Sequence, residues 1–284
     1  MRISVVIPVL NEEDRLEECL KALCNNSEKP YEIIVSDGGS VDATREIALR
    51  YGCSVIDNPK RHAAGGRNAG IKKARGDIIA FTDGDCIPDR NWIKNIRIAF
   101  EAETIDGLGG RVRPVASGNK YEVFWGRLSL QQIMTFGEIP YRVKTQSLND
   151  AFITANCAYR KALLVKLKGF NNWFGNNAED VDLSWRALKY GANLKYEPSV
   201  EVFAHSPETL KGICKKSFRN GYSSSKLQKK YGKFFNYDLG LYKLLFRQLK
   251  HCLQQEEARW TVAELLCHLL GKYYGSIKVQ IINI

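Results

Sequence analysis

Residues 81–90, FTDGDCIPDR, close an apolar run, Ile78-Ile79-Ala80-Phe81, and then place two carboxylates, Asp83 and Asp85, on either side of one glycine. A strand end followed by a tight turn explains one acid, because Asp favours turns. Two acids over one small space repel each other unless a cation sits between them. A hard divalent cation such as Mg²⁺ or Mn²⁺ takes oxygen ligands and commonly sits between carboxylates and substrate phosphates. Gly84 lets the backbone come close to such a ligand. For an isolated pair of acids a plain turn is the better explanation, and the surroundings decide otherwise.

Working outward, strand-like runs at 3–7, 32–36, 54–57 and 77–81 alternate with helix-like runs at 12–24, 41–51 and 63–74. That alternation predicts an α/β fold with a mainly parallel sheet flanked by crossover helices. Right-handed crossovers bring the carboxyl ends of all these strands to one edge, where open α/β sheets bind ligands. The ends read Pro8-Val9-Leu10-Asn11-Glu12, Asp37-Gly38-Gly39-Ser40 and Asp83-Gly84-Asp85, so one ligand can touch all three. Asp37 suits a nucleobase or ribose hydroxyl. Arg67, after two glycines at a helix start, suits phosphate oxygens; the bland alternative is a solvated surface charge.

Beyond residue 100 a strand is expected over GLGGRVRP, a helix over 120–135 and a strand over 152–159. A helix is predicted over 178–190, with Gly191 as its stop, and another opens at Ser206-Pro207-Glu208. Glu179, Asp180 and Asp182 stand in the first turn of the 178–190 helix. The helix dipole favours acids there and also keeps a carboxylate ionised, as a general base requires, so Asp180 is the candidate base. His205 alone reads as a structural histidine, and beside Asp83 and Asp85 as a third metal ligand.

The formal charge of +11 calls for an anionic partner. The cysteines, eight in all, are scattered without a CxxC pair, which predicts reduced thiols in the cytoplasm. MRISVVIPVLNEE lacks the pattern of a secretory signal, and no apolar window is long enough for a membrane span.

In order along the chain, VVIPVLNEE, IIVSDGGSVDAT, GGRNAG, IIAFTDGDCIPDRNWI, ITANCAYRKALLVKLKGFN, AEDVDLSWRALKYG and VFAHS resemble a family 2 glycosyltransferase of the GT-A (Rossmann-like) fold. The resemblance, which runs from residue 3 to about 231, implies a catalytic domain over 1–235, with its nucleotide-binding half over about 1–100 and its acceptor half over 101–235; residues 236–284 read as a helical extension. It implies that Pro8, Val9, Glu12, Asp37, Arg67, Asp83 and Gly84 bind the nucleotide, and that Asp85 and His205 hold a divalent metal, Mn²⁺ or Mg²⁺. Asp180 becomes the catalytic base of an inverting transfer, with Trp173 and Glu179 near the acceptor. The implied partners are a nucleoside diphosphate sugar, UDP first with GDP and dTDP as alternatives, and a sugar or lipid-linked acceptor. Leu10 stands where an aromatic is usual. The QxxRW motif of processive synthases is missing from the sequence, which points to a single transfer.

Competing functions fit less well. A nucleotidyltransferase needs a basic, glycine-rich loop after the first strand, and PVLNEEDR is acidic. No nucleic-acid motif is present, and Asp83 and Asp85 are too close in sequence to straddle a sugar as a glycosidase pair does. A catalytically inactive nucleotide-sugar-binding protein of the same fold stays open. Leu241, Leu245, Leu249 and Leu253 form a stripe flanked by Lys243, Arg247 and Lys250. It reads as peripheral contact with the inner face of the cell membrane, or as packing on the catalytic domain or on a second copy of the chain.

Overall fold

The parallel strands form where the apolar runs predict them. The computed structural model describes residues 1–132, 137–148, 150–232 and 256–279. Strands β1 (Ile3–Val9), β2 (Glu32–Asp37), β3 (Ser54–Asp57) and β4 (Ile78–Phe81) lie side by side in the order β3-β2-β1-β4, all parallel. Helices α1 (Glu13–Cys24), α2 (Thr44–Arg50) and α3 (Ala63–Lys73) connect them. The sheet continues through β5 (Cys86–Pro88), helix α4 (Trp92–Ala102), β6 (Gly107–Pro114), helix α5 (Lys120–Gln132) and β7 (Tyr141–Val143). After these come β8 (Cys157–Arg160), α6 (Lys161–Lys166), α7 (Glu179–Lys189) and β9 (Leu194–Ala204). Beyond β4 the order is β8-β6-β9-β5, with β7 also on β9; β8 is antiparallel to both neighbours and β6 is parallel to β9.

Both faces of this sheet are covered, which is why β1 is a nearly unbroken apolar run rather than an alternating one. Val5, Ile7 and Val9 pack toward Leu16, Leu20 and Leu23 of α1 and Trp92, Ile96 and Phe100 of α4. On the other face Val6, Ile34 and Phe81 meet Ile71 of α3, Leu164 of α6 and Leu183 of α7. Each such side chain contributes roughly 1.5–3 kcal/mol on burial. Helix α3 lies unusually close to β1, because a Cβ on Gly70 would stand 2.2 Å from Val6 Cγ1 and one on Gly66 3.0 Å from Pro8 Cβ. The glycines of GGRNAG therefore serve helix-on-sheet packing.

Several sequence expectations need correction. The strand expected over 152–159 begins only at Cys157, because Thr154–Asn156 form a 3-10 turn. Asn156 fixes that turn: it accepts from Trp92 Nε1 at 2.8 Å and donates to the carbonyls of Arg111 (2.6 Å) and Val200 (2.9 Å). Helix α2 opens at Thr44 rather than at 41, since the Val41 and Ala43 amides are taken by Asn11 Oδ1 and Glu13 Oε2. The end of the helix expected over 120–135 lies outside the described residues. β9 escaped prediction although its inward positions alternate; Pro198 interrupts the run and sits in a bulge where the β6 register jumps from Glu197 to Glu201.

The chain separates into two compact units, residues 1–115 with 129–205, and residues 116–128 with 206–284. The second unit is helical. Its helix α8 (Leu210–Tyr231) starts later than the Ser206-Pro207-Glu208 signal, because Thr209 is the cap, its Oγ1 accepting from the Gly212 N–H at 3.1 Å. Helix α9 (Glu256–Lys278) runs parallel to α8: Ser217 Oγ donates to Glu264 Oε1 at 2.8 Å, and two turns on Ser225 Oγ donates to the Lys272 carbonyl at 2.7 Å. The helices nearly touch at glycines, since a Cβ on Gly221 would lie 1.9 Å from the His268 carbonyl oxygen and one on Gly271 2.0 Å from that of Phe218. The expected 235/236 boundary and the leucine stripe from 241 to 253 fall outside the described residues.

Candidate active site

Topology builds the site. Val9 pairs with Asp37, and Val6 with Phe81, so three residues beyond the β1–β4 ladder Gly84 stands level with Val9. A Cβ on Gly84 would meet Val9 Cγ1 at 3.3 Å and Glu12 Cγ at 3.4 Å. Cys86 pairs with Ala204 across β5 and β9, and the His205 N–H donates to the Asp85 carbonyl at 3.1 Å. Residues 37, 83–85 and 205 thus share one rim of the sheet.

Asp83, Asp85 and Cys86 offer ligand atoms that all lie within 4.8 Å of one another. Burial, then Asp85 and Asp83, push the neighbouring Glu12 carboxyl up to about 7. Such a concentration of acids suits a hard cation. Cys86 Sγ donates to Asp85 Oδ1 at 3.5 Å, and burial followed by the same two carboxylates keeps it a thiol, so the donors that fit Mn²⁺ or Mg²⁺ are the two aspartates. The expected third ligand stands differently: the His205 ring joins Glu18 Oε2 of α1 at 2.9 Å while its backbone stays beside Asp85.

Arg67 links this cluster to the start of α7. The guanidinium is 3% exposed and donates from Nη2 to Asp83 Oδ1 (2.7 Å) and from Nη1 to Glu179 Oε1 (2.6 Å). The expected use of the α3 amino end for phosphate is met otherwise. The Ala63, Ala64 and Gly65 amides go to Asn176 Oδ1, the Gly175 carbonyl and His62 Nδ1, which fastens the 171–178 loop to the helix. Ala178, just ahead of α7, adopts φ 68°, a left-handed conformation that costs a non-glycine residue about 1 kcal/mol or more.

Within the first turn of α7 the three acids divide their work. Asp182 is fully buried and paired with Arg186 Nε at 2.7 Å, and Arg186 also donates to the Leu167 and Gly169 carbonyls, so Asp182 is structural. Glu179 is buried on Arg67, and burial, then Asp180, push its carboxyl up. Asp180 is half-buried and accepts from the Val181 N–H at 2.8 Å. Burial raises its pKa, partly opposed by that amide, by Arg67 and by the Thr154 amide. Among the described residues, Arg67 Nε, Glu179 Oε2, Ser36 Oγ and Thr82 Oγ1 are buried polar atoms without a partner, a concentration that marks this rim.

At the β1–β2 end of the rim, Val9 is buried and Pro8 half-buried. Asp37 is 1% exposed: Oδ1 accepts from the Ser40 N–H (3.0 Å) and Ser40 Oγ (2.5 Å), and Oδ2 from Arg45 Nη1 (2.9 Å). Burial would raise its pKa, and those bonds from Ser40 and Arg45 bring it below the usual value. Its oxygens are turned to its own chain, so the exposed Arg45, which also holds Asp57 at 2.9 Å, and Arg61, which donates to the Gly38 carbonyl at 3.1 Å, are the polar groups of this corner that sequence reasoning missed. Neither stands in a pattern that singles it out. Trp173 is 44% exposed on the 171–178 loop, edge-on to the buried Phe174 at 5.1 Å.

Comparison with known proteins agrees with this architecture. A family model described as Glycosyl transferase family 2 matches residues 4–167. Glycosyltransferase AglE of Haloferax volcanii is 27% identical over 227 residues, 77% of this chain and 71% of that protein. The pre-mycofactocin glycosyltransferase of Mycobacterium tuberculosis is 28% identical over 229 residues, and the match spans 77% of this chain and 46% of that relative. Among solved structures, the mannosyltransferase PcManGT from Pyrobaculum calidifontis in complex with GDP-Man and Mn²⁺ superposes with a TM-score of 0.65 at 18% identity, covering 96% of this chain and 87% of that one.

Proposed function

The chain belongs to glycosyl transferase family 2, and from that premise we propose that it moves one sugar from a nucleoside diphosphate sugar to an acceptor hydroxyl with inversion at the anomeric carbon. The observation that carries this reading is the Arg67 bridge, which ties Asp83 on the donor side to Glu179, the neighbour of Asp180, through one buried guanidinium. Pro8, Val9, Glu12 and Asp37 form the nucleoside end, with Arg45 and Arg61 at its corner. Asp83, Gly84 and Arg67 face the diphosphate. UDP is the first expected donor nucleotide, with GDP and dTDP behind it.

Asp180 takes the proton of the acceptor hydroxyl; the freed oxygen bonds to the anomeric carbon as the carbon–oxygen bond to the diphosphate breaks and its electron pair leaves with the diphosphate. Its upward pKa shift favours the base role, because a carboxylate of ordinary pKa is a weak base near neutrality. Asp85 and Asp83 would hold Mn²⁺ or Mg²⁺, with His205 joining once its ring leaves Glu18. When bound, that ion stabilises charge on the departing diphosphate. Trp173 offers an exposed ring to an acceptor sugar, and Glu179 orients Arg67.

The product belongs to glycan, glycolipid or cell-envelope polysaccharide synthesis at the cytoplasmic side of a membrane. Among the described residues no helix is long and apolar enough to cross one. Peripheral contact is supported by exposed Leu266, Leu270 and Tyr273 at helical spacing on α9. Sugar transfer from UDP-, GDP- and dTDP-sugars with Mn²⁺ tests the reading. Asp180→Asn should lower turnover by roughly 10²–10⁴-fold while UDP still binds, and undiminished turnover would remove Asp180 as the base.

A further inference from the structure

Further along the same rim, the end of β6 carries a second cationic group outside the set described above. Pro114 pairs with Ala204 and Ala204 with Cys86, so the β6 end that carries Arg111 and Arg113 lies two strands from the start of β5, which adjoins Asp85. At the usual strand spacing that is about 10 Å. Beside β6 lies the Thr154–Asn156 turn, whose Thr154 amide faces Asp180 and whose Asn156 donates to the Arg111 carbonyl at 2.6 Å. One short turn thus connects the Arg111 strand to Asp180.

The charges here do not balance on rigid elements. Arg111 is 7% exposed and its Nε, buried, has no hydrogen-bond partner among the described residues. Glu201 of β9, opposite Arg111 in the ladder, meets Arg113 Nε at 2.6 Å and Arg111 Nη1 at 3.6 Å. Two guanidiniums thus share one strand-borne carboxylate. The balancing charge comes from Glu138, whose two oxygens accept from Arg111 Nη1 (3.1 Å) and Nη2 (2.7 Å), with Arg113 Nη2 3.8 Å away. Yet the Glu138 side chain is 75% exposed, whereas that of Arg111 is 8% exposed. A guanidinium cannot shed its charge when buried, so this one always requires an oxyanion. The Glu138 carboxylate is already largely solvated, so leaving the fork returns it to water at little cost to itself. A phosphate fits the same fork with more charge and a third acceptor oxygen.

We propose that Arg111 and Arg113 form an oxyanion subsite that grips a phosphate group carried by the acceptor, with Glu138 filling the fork until the acceptor displaces it. This rests on the transferase reading and narrows its acceptor to a phosphate-bearing molecule. Glu201 holds the pair in place and remains there when Glu138 leaves.

The test titrates the full chain with inorganic phosphate in the presence of EDTA, followed by ³¹P line broadening, for the wild type, Glu138→Ala and Arg113→Gln. Arg113 is 46% exposed, so its replacement spares the core. Expected are saturable binding to the wild type, about three- to tenfold tighter binding to Glu138→Ala, and at least fivefold weaker binding to Arg113→Gln. Competition by glycerol 1-phosphate or by phosphatidic acid vesicles then tells a soluble phosphate from a lipid one. Affinity unchanged in Arg113→Gln, or weakened in Glu138→Ala, overturns the subsite. UDP with Mn²⁺ is titrated calorimetrically into a separate wild-type sample without EDTA: if it binds while the phosphate result fails, the subsite falls alone, and if it does not bind, the transferase reading falls and the acceptor assignment with it.

Discussion

Replacing Arg67 by Met keeps the aliphatic stem beside the Phe170 ring, over which the guanidinium carbon lies at 5.8 Å, and removes the charge between Asp83 and Glu179. Glu179 then stays buried with neither oxygen paired to a cation. Removing one partner of a buried ion pair costs about 3–5 kcal/mol, and at about 2–4 °C per kcal/mol for a domain of this size the melting temperature should fall by about 6–20 °C at pH 8. A proton offers Glu179 an escape. Its folded pKa is already raised by burial and by Asp180, and loss of Arg67 raises it further. For a carboxyl raised on folding, the folded state keeps a proton that the unfolded state releases, so stability falls as pH climbs from the unfolded value through the folded one. The variant's loss should therefore be smaller at pH 5.5 than at pH 8, by about 1–2 kcal/mol if the extra shift is near one unit. Urea unfolding of both proteins at the two pH values measures this. An equal loss at both, or no loss at pH 8, would refute the buried bridge.

Glu12, whose carboxyl burial and then Asp85 and Asp83 push up to about 7, should likewise make the metal-free protein less stable as pH rises from about 4.5 through 7. Glu12→Gln should flatten part of that slope, and an unchanged urea-midpoint profile would contradict it. In the helical unit, Gly271→Ala puts a methyl 2.0 Å from the Phe218 carbonyl oxygen. Although alanine favours helices by about 1 kcal/mol, overpacking costs about 1–3 kcal/mol, so helical circular dichroism should melt earlier; a melt at the wild-type temperature would contradict the close α8–α9 pairing.

The first four strands were legible because their physics is local. Buried parallel strands leave continuous apolar runs, and crossover handedness sends their carboxyl ends, at Val9, Asp37 and Asp83, to one rim. The Arg67–Glu179 pair joins residues 112 positions apart, and no periodicity reports which distant charge a buried arginine will meet. GGRNAG was readable as a helix start but not as the close approach of α3 to Val6, which only the register reveals. His205 was placed beside Asp85 by its motif, yet its ring direction depends on Glu18, a surface residue of α1 with no mark in the sequence. Asp182 and Asp180 look alike on the first turn of α7, and only the Arg186 contact separates the structural acid from the proposed base.

Calorimetric titration of UDP into the wild type and Asp85→Ala, each with Mn²⁺ and with EDTA, addresses most directly the convergence of acids on one cation at the sheet rim. Binding should appear in the wild type with Mn²⁺, and weaken at least tenfold both in EDTA and in Asp85→Ala. Equal affinity in all four titrations would contradict it.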